Sequence, residues 1–336
     1  MSLTANETKQ PLLDIQGLRK YFPVKGPLGV FGGVKGYVKA VNDVSFKLFE
    51  GETLGIVGES GCGKSTMGRT ILRLTDPTEG KALYKEEDIF QLSGNELRAI
   101  RKDMQMVFQD PFSSLNPRKR IGQTLEEPLF IHSIGSKQER TERVMEIMNK
   151  VGLQLDHYYR YPHEFSGGQR QRIGLARALV VNPKIVICDE PVSALDVSIQ
   201  SQIINLLQEL QDEYKLTYLF IAHDISVIRH ISDRIGVMYL GHMVEHAPTE
   251  SLFANSLHPY TQALLSAVPL PNPEKKRERI ILRGEIPSPM NLPSGCVFQT
   301  RCPYVKGVCK EIAPVKQEVT ANHFVSCHLY GEDYSH

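Results

Sequence analysis

The amino-acid sequence predicts an α/β fold, with a largely parallel sheet covered by helices on both faces. Three observations carry this. Short β-branched runs alternate with amphipathic segments of helical period from about residue 12 to 268. A glycine-rich turn, GESGCGKST at 58–66, stands between one apolar run and one helical segment. A second glycine turn, SGGQ at 166–169, opens another helical segment.

In chain order, LLDIQGL (12–18), KAVNDVSFKL (39–48) and ETLGIVG (52–58) alternate apolar and polar residues and predict strands. An antiparallel β portion is expected near the N-terminus. KGPLGVFGGVKG (25–36) between them is a glycine-rich loop. A helix is predicted from Gly63 to about Leu74. Helical period dominates from Gln91 to Leu153, where Val144, Ile147, Met148 and Val151 share one face, so a helical insertion is expected over about 91–175. KIVICDEP (184–191) is a buried strand and 198–214 an amphipathic helix. TYLFIAHD (217–224), RIGVMYL (234–240) and HMVEHA (242–247) complete the strands. From about Pro269 the chain turns proline-rich and then charged, as a linker does. The tail from Ile280 has little periodicity. These changes predict a nucleotide-binding domain over 12–268 and a small cysteine-rich domain over 269–336.

Composition narrows the function. A chain of 336 residues with 41% hydrophobic residues can bury a sizeable core. Lys and Arg number 39 against 38 Asp and Glu, a formal balance of +1, so no global field draws nucleic acid or an anionic membrane. Any phosphate site must be local. No apolar run approaches the roughly 18 residues of a spanning helix. The opening MSLTANETKQPLLD lacks the pattern of a secretion signal. A cytoplasmic location with reduced thiols is expected.

Residues 58–66 fit G-x-x-x-x-G-K-[ST] at every fixed position. Gly58, Glu59, Ser60, Gly61, Cys62 and Gly63 would curl backbone N–H groups around phosphates. Lys64 would reach the β and γ phosphates of ATP, and Ser65 and Thr66 open the helix, with the Ser65 hydroxyl offered to Mg²⁺. Cys62 occupies a variable position and reads as a small filler. Asp189 ends an apolar strand where it can hold Mg²⁺, and Glu190 follows where it can orient or deprotonate the attacking water. Cys188 reads as core packing.

FSGGQRQRIGLARAL, from Phe165, places Ser166, Gly167, Gly168 and Gln169 ahead of a helix, a second backbone cradle for phosphate. With these residues the chain resembles the ATP-binding cassette ATPases, whose core is a RecA-like phosphate-loop fold. The resemblance implies that two cassettes pair head to tail, each signature capping the nucleotide of the other. Phe165 stands where leucine is usual. Gln109 in MVFQDP matches the glutamine that approaches Mg²⁺ and the attacking water. Ser193, Ala194, Leu195 and Asp196 match the loop through which cassettes communicate. His223 in FIAHD matches the histidine that contacts the γ-phosphate. Phe22 or the adjacent Tyr21 would stack on adenine. Taken singly, Gln109 or His223 would be an ordinary satisfied polar residue; their order around the two cradles assigns the roles.

FQDPFSSLNPRKRIGQTLEEPL (108–129), EPVSALDVSIQSQ (190–202) and HPYTQALLSAVP (258–269) look like the ATP-binding subunits of oligopeptide and dipeptide importers, most of all the second, F-type subunit. The resemblance spans residues 12 to 330. It implies a second, non-identical ATPase subunit, two transmembrane permeases and an extracytoplasmic peptide-binding protein, with this chain peripheral at the cytoplasmic face of the plasma membrane. Nucleic acid is not an expected partner. A cytosolic cassette ATPase without a transport role, or an importer of another cargo such as a metal complex, remains the alternative. HPYT alone suggests no chemistry.

Six cysteines occur, four of them late: Cys296, Cys302, Cys309 and Cys327, spaced C-x5-C-x6-C-x17-C. The compartment disfavours disulfides. No close C-x2–4-C pair of a zinc site is present, and the spacing is not that of ferredoxins. Iron–sulfur, zinc and uncoordinated thiols all stay open on spacing. The resemblance favours a 4Fe–4S cluster, because importer ATPases with a similar tail carry one. His323 and His328 flank Cys327 and read as solvated or structural rather than as ligands.

Overall fold

The computed structural model describes residues 10–26, 33–110, 114–268 and 279–330. Half of the glycine-rich loop (27–32), nearly all of the proline-rich linker (269–278) and part of FQDPFSSLNP (111–113) lie outside them.

The elements run β1 (Leu13–Lys25), β2 (Val34–Leu48), β3 (Thr53–Val57), α1 (Lys64–Ile71), β4 (Glu79–Tyr84), β5 (Glu87–Asp88), α2 (Gly94–Asp103) and β6 (Met104–Val107). They continue with α3 (Ile121–Ile131), α4 (Lys137–Lys150), α5 (Gly167–Leu179), β7 (Ile185–Asp189), α6 (Val197–Tyr214), β8 (Thr217–Ile221) and α7 (Ile225–Ile231). The last are β9 (Arg234–Tyr239), β10 (His242–Pro248), α8 (Thr249–Ala254), α9 (Pro259–Ser266), α10 (Val308–Glu311), β11 (Gln317–Thr320) and β12 (His323–Val325). They divide into two compact units. The first is built on Leu48–Thr53 and Gln91–Ile221, the second on Leu13–Lys47, Leu54–Phe90 and Ala222 onward.

In the first unit β6, β7 and β8 pair in parallel, in that order. Every residue of β7 and β8 is buried. That explains why both strands read as unbroken apolar runs: a parallel strand covered on both faces has no solvent side on which to alternate. Helix α4 is held at its start by a capping box, Ser136 Oγ accepting from the Glu139 N–H while the Glu139 carboxylate accepts from the Ser136 N–H. Its Val144, Ile147 and Met148 are buried, the face expected from their spacing.

Two expectations change. The segment from Gln91 to Leu153 is not wholly helical, because β6 lies within it and pairs Met104–Val107 with Ile185–Cys188. Four residues between two helices carry too little alternation to stand out, and the parallel partner some eighty residues away supplies the order. The tail also has more regular structure than its pattern suggests. β11 pairs with β12, and β12 pairs antiparallel with β10 through Glu245↔Val325 and His246↔Phe324.

In the second unit the four-stranded sheet runs β2-β1-β4-β5, with β1–β4 and β4–β5 antiparallel. The other strands run β11-β12-β10-β9-β3, and β3 and β9 pair in parallel. The cysteine-bearing tail belongs to this unit. Its packing is local and polar as well as apolar. The Glu245 carboxylate, 1% exposed, accepts from the backbone N–H groups of Leu257 (2.7 Å) and His258 (2.9 Å) and meets His323 Nε2 at 2.8 Å. One buried carboxylate therefore joins β10, the start of α9 and β12.

Candidate functional site

The second unit carries the phosphate loop. β3 is fully buried and delivers the chain to Gly58, and α1 begins at Lys64. Glycine is required at two places. A Cβ on Gly58 would lie 2.1 Å from the Met238 carbonyl oxygen, and one on Gly63, where φ is +104°, would lie 2.0 Å from that of Ala40. The loop is thus pressed between β9 and the chain at Ala40, and its shape is imposed by neighbours. Lys64 is 4% exposed, and its ammonium donates to the carbonyls of Gly58 (2.7 Å) and Glu59 (3.2 Å). A nucleotide phosphate is a stronger acceptor for that ammonium than two loop carbonyls, so these residues fit the ATP the sequence implies. Ser65 and Thr66 are half-buried in the first turn of α1. Cys62 is buried, and burial pushes its thiol pKa up, which suits the filler role.

Around the loop, Ala222 N–H donates to the Ile56 carbonyl at 3.1 Å, so His223 follows beside the end of β3 and is exposed. The two adenine candidates differ. The Tyr21 hydroxyl donates to Asn42 Oδ1 at 2.5 Å, and the Asn42 amide meets His242 Nε2 at 3.1 Å, so Tyr21 is tied into β2 and β10. Phe22 is 38% exposed, with Lys20 Nζ 4.8 Å over its ring. An exposed ring is the better stacking platform.

The first unit carries the other candidates. Asp189 is fully buried at the end of β7. Glu190 follows with φ +46° and donates its N–H to the Ile221 carbonyl at 2.9 Å. This left-handed turn takes the carboxylate out of the strand. There Gln109 Nε2 donates to Glu190 Oε2 at 2.8 Å, so two residues separated by 81 positions meet. The Ser193 hydroxyl donates to the Glu190 carbonyl at 3.1 Å, Ala194 and Asp196 are exposed, Leu195 is half-buried, and Asp196 precedes α6. Ser166 caps α5: its Oγ accepts from the Gln169 N–H, and its own N–H donates to Gln169 Oε1 at 3.0 Å. Gly167 is exposed, and a Cβ on Gly168 would meet Ile199 at 2.8 Å. The helix N-terminus is a ready anion cradle. Phe165, the departure from leucine, is buried edge-on to His157 at 5.0 Å between ring centroids. It changes packing behind the signature and leaves the polar atoms alone.

In the tail, all four cysteines are free thiols, with Cys296 and Cys327 buried and Cys302 and Cys309 half-buried. Burial chiefly, with the neighbouring thiols adding to it, pushes Cys327 up to about 12 and Cys296 up to about 11. Among the described residues no group of three or more His, Cys, Asp or Glu side chains is arranged to hold a metal ion. The thiols are of the donor type a 4Fe–4S cluster takes, and Cys296, Cys302 and Cys309 all lie near enough to Cys327 to add to the rise in its pKa. His323 and His328 are structural: Nε2 of one meets Glu245, and Nε2 of the other meets the Ile312 carbonyl at 2.8 Å.

Two functional contacts escaped the sequence. Tyr260, within the HPYT motif, accepts the N–H of Glu59 at its hydroxyl, 2.8 Å away. Arg301 makes a bidentate ion pair with the Glu59 carboxylate at 2.7 and 3.1 Å. Both residues lie more than 200 positions from Glu59, and nothing in local pattern connects them to it.

The fold has solved counterparts. A dimeric ATP-binding cassette in a post-hydrolysis state bound to ADP and phosphate superposes with a TM-score of 0.63 at 31% identity, over 70% of this chain and 98% of that one. A cassette of a Clostridium perfringens transporter complex superposes at 0.62 with 25% identity, over 74% and 92% of the two chains. The family model described as ABC transporter matches residues 41–193, and that for the oligopeptide/dipeptide transporter C-terminal region matches 244–309. The class is therefore the ATP-binding cassette ATPases.

Whole-chain relatives narrow it. The oligopeptide transport ATP-binding protein AppF of Bacillus subtilis is 58% identical over 96% of this chain and 98% of its own. Its counterpart OppF of Escherichia coli is 52% identical over 96% and 97%, and the dipeptide transport protein DppF of Haemophilus influenzae 51% over 96% and 98%. The chain belongs to the family of oligopeptide and dipeptide transport ATP-binding proteins.

Proposed function

We propose that this chain binds MgATP and hydrolyses it to ADP and phosphate as an ATP-binding subunit of an oligopeptide or dipeptide importer. The observation that carries the reading is the glycine loop at 58–63, closed to any Cβ at Gly58 and Gly63 and backed by the buried Lys64 ammonium. Roles divide by residue. Lys64 and the loop N–H groups hold the phosphates, and Phe22 stacks on adenine. Ser65, Asp189 and Gln109 serve Mg²⁺, which when bound neutralises charge developing on the phosphates. Glu190, steadied by Gln109, orients the attacking water and takes its proton, and His223 contacts the γ-phosphate. Ser166 to Gln169 and Ser193 to Asp196 serve a second, non-identical cassette.

Among the described residues no helix is long and apolar enough to cross a membrane. The translocation path is then supplied by two permeases, with a peptide-binding protein outside and this chain peripheral at the cytoplasmic face. The match of residues 244–309 to the peptide-transporter C-terminal region favours import over a cassette without a transport role. Co-expression with two permeases and a second ATPase in proteoliposomes tests the reading. Peptide-loaded binding protein should stimulate hydrolysis, and Lys64→Ala should abolish it. Stimulation by a metal complex but not by peptides would overturn the cargo.

The four late cysteines are proposed as a soft-metal site, with 4Fe–4S as its occupant. What supports the reading is the donor set: four thiols in one short tail, with the Cys296 N–H bonded to the Cys309 carbonyl at 2.8 Å, and bound metal would favour their thiolate form. Anaerobically purified protein should then carry about four irons per chain and absorb broadly near 400 nm (~400 nm is the thiolate-to-iron band). Stoichiometric zinc, or no metal at all, would overturn it.

A further inference from the structure

Glu59 stands inside the loop that is to receive a polyanion, and it is held on three sides. Its N–H donates to the Tyr260 hydroxyl at 2.8 Å, its carbonyl accepts from Lys64 Nζ at 3.2 Å, and both carboxylate oxygens accept from Arg301, at 2.7 and 3.1 Å. The Arg301 side chain is only 8% exposed, and its guanidinium lies 5.8 Å over the Tyr239 ring. Phe298, 1% exposed, packs against Tyr239 and Tyr260 with ring centroids 5.2 and 5.5 Å away. These two tail residues sit in one short turn between Cys296 and Cys302. Its bonds run Arg301 N–H to Phe298 O, Gln299 N–H to Cys296 O, and Cys296 N–H to Cys309 O. A chain of contacts therefore leads from the thiols to the phosphate loop.

An unpaired carboxylate in that loop would repel phosphate, and at short range within a partly buried site the repulsion is poorly screened. Arg301 removes it in fixed geometry, since a bidentate pair sets both charge and orientation. We propose that Arg301 is a positioning residue of the ATP site, which neutralises and fixes Glu59 and so couples the cysteine-bearing tail to nucleotide binding. This rests on the reading of residues 58–66 as the nucleotide loop. Because coupling is reciprocal, nucleotide in the loop must also steady the tail turn.

The test is equilibrium binding of a fluorescent ATP analogue with Mg²⁺ to the full chain. Arg301→Ala should weaken binding about fivefold or more, and Arg301→Lys, which keeps the charge but not the fork, by less. Adding Glu59→Gln to Arg301→Ala should bring affinity back to within about twofold of the parent, because the carboxylate that repels phosphate is gone. Lost packing would not be rescued in this way. Hydrogen exchange of residues 296–301 should slow on adding MgATP in the parent and not in Arg301→Ala. Binding unchanged in Arg301→Ala, failure of Glu59→Gln to rescue, or a tail turn indifferent to nucleotide would each overturn the proposal. Lys64→Ala separates the two readings: normal binding by that variant would sink the nucleotide loop itself, whereas its loss together with normal binding by Arg301→Ala sinks only the coupling.

Discussion

Replacing Glu245 should loosen the tail by an amount that its three contacts predict. The carboxylate is 1% exposed, with Oε1 taking Leu257 N–H at 2.7 Å and His323 Nε2 at 2.8 Å, and Oε2 taking His258 N–H at 2.9 Å. Alanine strands all three groups away from water. Each buried unsatisfied donor costs about 1–3 kcal/mol, so the total is about 4 kcal/mol after partial relaxation. Glutamine can set its oxygen at the Oε1 position and keep two contacts, but its amide then faces the His258 N–H, donor against donor. That is one lost bond, about 2 kcal/mol. At about 2 °C per kcal/mol for a chain of this size, the melting temperature should fall by about 8 °C for Glu245→Ala and about 4 °C for Glu245→Gln. Scanning calorimetry and urea titration read the difference, and limited proteolysis should cleave the tail faster in the same order. Glutamine costing as much as alanine, or a shift under about 1 °C for alanine, would refute the assignment of Glu245 as the joint between β10, α9 and β12.

Other outcomes follow from the same contacts. Glu190→Gln should leave MgATP affinity intact and slow single-turnover phosphate release by about 10²–10⁴-fold, the usual contribution of a general base; near-normal release with the partner site disabled would remove that role. Gly63→Ala should abolish nucleotide binding, since its Cβ would stand 2.0 Å from the Ala40 carbonyl oxygen at a φ of +104°; a fluorescent analogue checks binding and circular dichroism checks that the fold persists. His258 is buried, its Nδ1 accepts the Tyr260 N–H at 3.1 Å, and burial lowers its pKa to about 4. The unfolded chain therefore binds the proton more tightly than the native one, so stability rises with pH between about 4 and 6.5 and is flat above, a loss of about 3 kcal/mol on full acidification. Urea midpoints at pH 4.5 and 6.5 should differ less in His258→Asn, where an uncharged side chain still caps α9; an equal difference would exclude His258 as the source.

Local pattern revealed most of the fold, and the exceptions share a cause. β7 and β8 were readable because burial on both faces demands an unbroken apolar run, and α4 because its buried face recurs at helical spacing with a capping box before it. β6 and β12 were not, because four and three residues hold hardly one period. Their order comes from partners far along the chain, Ile185–Cys188 for β6 and Glu245–His246 for β12. Tertiary pairing decides such segments, and no window of local sequence contains it.

The site divides along the same line. Gly58, Gly63 and Lys64 announce themselves because one short loop must satisfy backbone geometry and charge together, and the structure gives each a steric or electrostatic reason. Glu190 was legible from its place after an apolar strand, but not its left-handed φ, which turns the carboxylate toward Gln109. Tyr260 and Arg301 were illegible for a physical reason: each acts on Glu59 through an atom more than 200 positions away in sequence. A tyrosine after His-Pro and an arginine before a cysteine carry no local signature of that duty. With a balance of only +1 over the whole chain, phosphate binding must be built from such fixed local charges. The Arg301–Glu59 pair contributes to that arrangement by cancelling a charge rather than by adding one, so removing the arginine is expected to matter only while the glutamate remains.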